Sequence, residues 1–154
     1  MPSLKIFFGG PRRVLILAFH KQHTAPVIME MMNNAVSWFE IPVTDFERAR
    51  QFYSTIYDFE MPEVQVGPVK MGIFLHRREQ GGIGGAIVCG ESYIPSKSGP
   101  KIYLNAGIDL TTVLNRVEAA GGRIILGKTD VGQMGYIAVI EDTEGNPISL
   151  HSLN

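Results

Sequence analysis

One order of elements occurs twice in this chain, and it restricts the fold more than any other feature. A strand runs into a turn carrying an aspartate, a helix follows, and three strands come after it. The first copy opens at Val36 to Phe59, VSWFEIPVTDFERARQFYSTIYDF. Successive side chains of a strand point to opposite faces, so Ser37, Phe39, Ile41 and Val43 share one face and Trp38 and Glu40 share the other. Thr44 followed three residues later by Glu47 is a capping-box pattern, which predicts a helix start. Phe46, Ala49, Phe52, Tyr53, Ile56 and Tyr57 then recur at spacings of three and four, the stripe of an amphipathic helix. That stripe is expected to pack on the Phe39/Ile41 face, which leaves the Trp38/Glu40 face for another purpose. Strands are predicted at Glu63 to Val66, Val69 to His76 and Ile83 to Cys89. The glycine cluster Gly81-Gly82-Ile83-Gly84-Gly85 lacks the G-K-[ST] ending of a phosphate loop and reads as a tight turn into a strand with close backbone approach.

After a Pro/Ser-rich linker, Glu91 to Pro100, the order repeats. Lys101 to Ile108 is a predicted strand and Asp109 an N-cap. Leu110, Val113, Leu114 and Val117 form the stripe, and Gly121-Gly122 ends the helix as glycine commonly does. Arg123 to Lys128, Gly135 to Glu141 and Pro147 to Leu153 complete the set, the last two joined by the turn Asp142-Thr143-Glu144-Gly145-Asn146. Few residues are identical between the halves, so the repeat is one of pattern. It predicts an α+β fold of two tandem βαβββ modules, 35–92 and 101–154, in a single domain spanning 35–154.

Residues 1–34 show no sustained period and are read as an extension outside that domain. Arg12 and Arg13 precede a short apolar run, Val14 to Phe19, too short to span a bilayer. His20 and His23 form an H-x-x-H pair, but structural zinc needs four organised ligands. Met29, Met31 and Met32 stand just before the organised region, and a natural start near one of them is expected. The formal net charge is −1, which argues against nucleic acid and anionic membranes as partners, since both select basic surfaces. Cys89 is the single cysteine, so no internal disulfide framework exists; its apolar surroundings make it a core residue. A reducing, cytoplasmic location is expected.

The modules together resemble the vicinal oxygen chelate superfamily, which contains glyoxalase I, the bleomycin-resistance proteins and the extradiol dioxygenases. The resemblance rests on Phe39-Glu40-Ile41-Pro42-Val43-Thr44-Asp45 with Arg48-Ala49 and Phe52-Tyr53. It rests also on Val117-Glu118-Ala119-Ala120-Gly121-Gly122 and on Glu141-Asp142-Thr143-Glu144-Gly145-Asn146. It is closest to glyoxalase-related, lactoylglutathione lyase-like proteins. It implies a cup-shaped, eight-stranded mixed sheet with helices on its outer face, a small-molecule ligand inside the cup, and a homodimer.

The resemblance also implies metal-ligand positions, and these fall on Trp38, Tyr103 and Ser149, with a fourth between Met71 and His76. Trp, Tyr and Ser are not usual ligands for zinc, nickel or iron. No metal or other cofactor is therefore expected at those positions. Two residues along each strand, on the same face, stand Glu40, Asn105 and His151, so the alternative is a divalent metal at a shifted site. Three functions follow. The first is small-molecule binding, with Trp38 and Tyr103 as stacking walls, Glu40 as polar anchor, and Asn105, Ser149 and His151 completing the lining. The second is a lyase or isomerase with Glu40 as general base and Tyr103 or His151 as acid. The third is a cup filled by its own side chains.

Overall fold

The computed structural model describes residues 34–154. The H-x-x-H pair, the methionine cluster and the Arg12-Arg13 run lie outside the described residues. The first module contains β1 (Trp38–Pro42), α1 (Phe46–Tyr57), β2 (Glu63–Val66), β3 (Val69–Phe74) and β4 (Gly84–Cys89). The second contains β5 (Tyr103–Asn105), α2 (Thr111–Val117), β6 (Arg123–Asp130), β7 (Tyr136–Glu141) and β8 (Pro147–Ser152). The twofold βαβββ order is therefore present, and the architecture is α+β. The eight strands are arranged as two four-stranded mixed sheets, in the orders β1-β4-β3-β2 and β5-β8-β7-β6. In each, the first strand of the module lies parallel to the last, as β1 to β4 and β5 to β8, and the other pairings are antiparallel.

The predicted stripe is the buried face of α1: Phe46, Ala49, Phe52, Tyr53 and Ile56. Its cap differs from the capping box that Thr44 and Glu47 suggest. Asp45 is the N-cap, its Oδ1 accepting the amide of Arg48 at 3.1 Å. Thr44 is drawn instead to Glu144, on the turn between β7 and β8: the Thr44 amide and hydroxyl donate to Oε2 at 2.9 and 2.7 Å, and the Asp45 amide at 2.9 Å. A carboxylate is a stronger acceptor than a neutral side chain and also favours the positive end of the helix. Arg48 Nε donates to the other oxygen of Glu144 at 2.8 Å.

The second helix differs from the expected Asp109 cap: Leu110 is its N-cap and has no side-chain cap bond, while Asp109, one residue further out, accepts the Thr111 amide at 2.9 Å. Strand β5 is much shorter than Lys101 to Ile108. Asn105 Oδ1 accepts the Gly107 amide at 2.9 Å, and Gly107 takes φ +81°, so the chain turns out of the sheet there.

The two modules share one core. Ile41, Phe52 and Ile87 of the first belong to the same buried cluster as Leu104, Leu114 and Leu150 of the second. The helices pack on each other and on the inner faces of the sheets. The tightest polar joint is the β7–β8 turn. Asp142 is 4% exposed and accepts the Tyr53 hydroxyl at 2.8 Å and Asn146 Nδ2 at 2.9 Å, while Asn146 Nδ2 also donates to the Pro42 carbonyl at 2.9 Å. Packing the inner faces together turns the other faces outward. Strand register places Val64 and Val66 on the face of Trp38 and Glu40, and Leu126 on the face of Tyr103. All of these are exposed. No helix among the described residues is long and apolar enough to cross a membrane.

Candidate functional site

Trp38 and Glu40 stand on the outward face of β1, as the two-residue period requires. The indole Nε1 donates to Glu40 Oε1 at 3.2 Å. Register pairs Trp38 with Gly84, and Phe39 with Gly85. A β-carbon on Gly84 would meet Trp38 Cζ3 at 2.6 Å, and one on Gly85 would run into the Phe39 ring. The glycine cluster thus provides close approach: each of two successive glycines accommodates an aromatic ring, one on each face. His76 flanks Trp38 edge-on, with ring centroids 6.2 Å apart, and its Nδ1 lies 3.2 Å from the Phe74 carbonyl.

Tyr93 is the residue that sequence reasoning missed. The linker folds back so that its ring lies against Gly90 and beside Val69, on the outward face. Hydrogen bonding to Glu40, and then the charge of that carboxylate, raise the Tyr93 phenol above its ordinary value. A single aromatic in a linker rich in Ser, Pro and Gly was the only available signal.

The remaining candidates form a second group. Register sets Tyr103 beside Ser149 and Asn105 beside His151, all on the outward face of the other sheet. Tyr103 is 52% exposed, whereas Ser149 is buried beneath the neighbouring side chains. His151 Nε2 lies 2.6 Å from the Met134 carbonyl; a carbonyl only accepts, so Nε2 carries the proton. Asn105 is half committed to the Gly107 turn. It also borders a cleft of about 510 Å³ between α1, α2 and the end of β5, which neither Trp38 nor Glu40 lines. Tyr57 reaches the same cleft; its hydroxyl is buried without a partner among the described residues, and burial pushes it well above the ordinary phenol value.

One chain therefore brings Trp38 to Glu40, and Tyr103, Asn105, Ser149 and His151 to one another, but it keeps the two groups on different sheets. The family ligand positions hold an indole, a phenol and a hydroxyl. Among the described residues no group of three or more His, Cys, Asp or Glu converges as a metal site. In the shifted set, Glu40 lies apart from Asn105 and His151, and both of those already spend a polar atom on backbone. One chain therefore does not gather Glu40, Asn105 and His151 into one ligand set. Cys89 is half-buried, packed against the core, with its thiol 3.6 Å from the Thr44 carbonyl.

Comparison with known proteins agrees with the fold. The family model of the Glyoxalase/Bleomycin resistance protein/Dioxygenase superfamily matches residues 35–150. A glyoxylase-like domain-containing protein of Didymella fabae is 29% identical over 119 residues, covering 75% of this chain and 91% of that protein. Among solved structures, TnmS3, an antibiotic binding protein from Streptomyces sp. CB03234, superposes with a TM-score of 0.58 at 21% identity, over 76% of this chain and 93% of its own. A glyoxalase/bleomycin resistance protein/dioxygenase family enzyme from Burkholderia phytofirmans PsJN gives 0.58 at 15% identity, over 77% and 98%. At these identities the structural likeness speaks for the fold.

Proposed function

The chain belongs to the Glyoxalase/Bleomycin resistance protein/Dioxygenase superfamily, and from that premise we propose that it binds a small organic molecule in a cup completed by a second copy of itself. The observation that carries this reading is the outward exposure of both candidate groups, each on an edge strand. Strands β1 and β5 end their sheets, and each presents an exposed aromatic, Trp38 at 39% and Tyr103 at 52%. An unpaired edge beside exposed apolar side chains is a surface that soluble proteins cover. A twofold pairing that sets β1 of one copy beside β5 of the other covers both edges at once, twice, as an isologous interface requires. It would bring Trp38 and Glu40 of one copy opposite Tyr103, Ser149 and His151 of its partner. That is a concave, mostly apolar site with a few convergent polar groups.

The donor set favours holding a ligand over metal-assisted lyase chemistry. Trp38 and Tyr103 are stacking walls where a glyoxalase-type enzyme would place ligands, and the likeness to TnmS3, an antibiotic binding protein, supports a binding role for this fold. A thermal-shift screen of the purified protein over divalent metals and aromatic compounds of every charge tests the reading. Stabilisation by aromatic compounds, lost in Trp38→Ala, is expected. Stoichiometric bound metal, or turnover that depends on one, would overturn it.

A further inference from the structure

Trp38, Glu40 and Tyr93 form a cluster whose chemistry is more specific than that of an apolar wall. Glu40 makes no ion pair among the described residues. It projects from the middle of a strand beside an indole that donates to it at 3.2 Å, and its carboxylate acts on the Tyr93 phenol strongly enough to raise it above its ordinary value. A carboxylate offers about four acceptor directions, so the indole bond leaves it able to accept from a ligand. The indole meets the carboxylate through its N–H edge, and Trp38 is 39% exposed. The floor is made of small residues: Gly84 and Ala86 lie opposite Trp38 and Glu40 on β4, so nothing bulky rises between the indole and the carboxylate from that strand. Arg77 and Arg78, which follow His76 at the short 3-10 turn, form no ion pair with any of these groups among the described residues.

Negative charge at the edge of an indole, with a second aromatic ring from the linker, is an arrangement that attracts organic cations. The ring quadrupole and the carboxylate act in the same sense, and tryptophan is the strongest of the aromatic partners. We propose that this cluster is the recognition subsite for a cationic group, and that the cup's ligand is an organic cation such as a substituted ammonium attached to an aromatic or apolar body. The inference rests on the cup reading above and names its ligand class. Tyr93, supplied by the linker, adds a second aromatic ring on the same outward face.

Trp38 is the single tryptophan of the chain, so selectively excited tryptophan fluorescence reports on this site alone. The probes are benzyltrimethylammonium, its neutral carbon isostere neopentylbenzene, and benzenesulfonate as the anion, each titrated into the full chain. The ammonium is expected to bind roughly tenfold or more tightly than the neutral isostere, with the sulfonate weaker still. Glu40→Gln, an isosteric change at an exposed side chain, should remove that preference while leaving the neutral compound's affinity unchanged. Tyr93→Phe should reduce the preference in part. Equal binding of cation and isostere, or a preference that survives Glu40→Gln, overturns the cation subsite and leaves the cup reading standing. Silence to all three probes also overturns it, and the cup reading falls with it only if the broad thermal-shift screen is silent as well.

Discussion

Replacing Glu144 with alanine is expected to cost about 3 kcal/mol of stability, although the residue sits on a turn and touches no ligand. Its side chain is 0% exposed. It accepts two backbone amides and a hydroxyl from Thr44 and Asp45, and two nitrogens of Arg48, one at 2.8 Å and one at 2.7 Å. Breaking a buried charged contact costs roughly 3–5 kcal/mol. The lower end applies here because Arg48 is 52% exposed and can turn to water. What remains is the loss of charge-assisted bonds at the start of α1, about 1–3 kcal/mol in each case before water compensates. Urea unfolding followed by Trp38 fluorescence measures the loss as a midpoint lowered by about 1–2 M.

The pH dependence separates this contact from simple packing. Burial alone would raise the Glu144 carboxyl; the bonds from Asp45, Thr44 and Arg48 outweigh it and hold the group below its ordinary value. A depressed folded value contributes stability that is complete above the ordinary 4.5 and is lost as pH falls through the folded value. Asp142, raised by burial against the bonds it accepts, works in the opposite sense. The difference between wild type and Glu144→Gln should therefore shrink as the pH falls below about 4.5. A cost under about 1 kcal/mol for Glu144→Ala, or a difference independent of pH, would refute the assignment of this carboxylate as the joint between modules.

Tyr53→Phe removes the 2.8 Å bond to buried Asp142 and should cost about 1–3 kcal/mol by the same unfolding assay. Gly85→Ala drives a methyl into the Phe39 ring and should cost about 1–3 kcal/mol. Gly84→Ala meets Trp38 on the other face and should also change the tryptophan emission of the folded protein. Asp109 is held down to about 2, first by its bond to Lys128 and then by the Thr111 contacts; carboxyl NMR should find it there, and Lys128→Met should move it up.

The twofold order of elements was legible because each of its parts has a local signal. Strand alternation places Trp38 opposite Phe39, the three-and-four stripe marks Phe46 to Tyr57, and the turn aspartates mark the helix starts. Pairings across long separations had no such signal. Thr44 caps no helix because Glu144, remote in sequence, takes both its amide and its hydroxyl. The outward face of β1 could be inferred from alternation, but the neighbours of that face could not. Tyr93 reaches Glu40 only because the linker folds back, and Tyr103 meets Ser149 only through the parallel register of β5 and β8. That the sheets face away from each other follows from helices packed between them, a tertiary fact with no counterpart in local periodicity.

The mass of the full chain in solution, measured by sedimentation equilibrium with and without a bound aromatic compound, tests the central claim most directly. A cup assembled from two copies predicts twice the monomer mass for wild type. It predicts a monomer that no longer binds for Tyr103→Arg, which buries a charge at the proposed β1–β5 junction. A wild-type monomer that binds the compound with undiminished affinity would contradict the account.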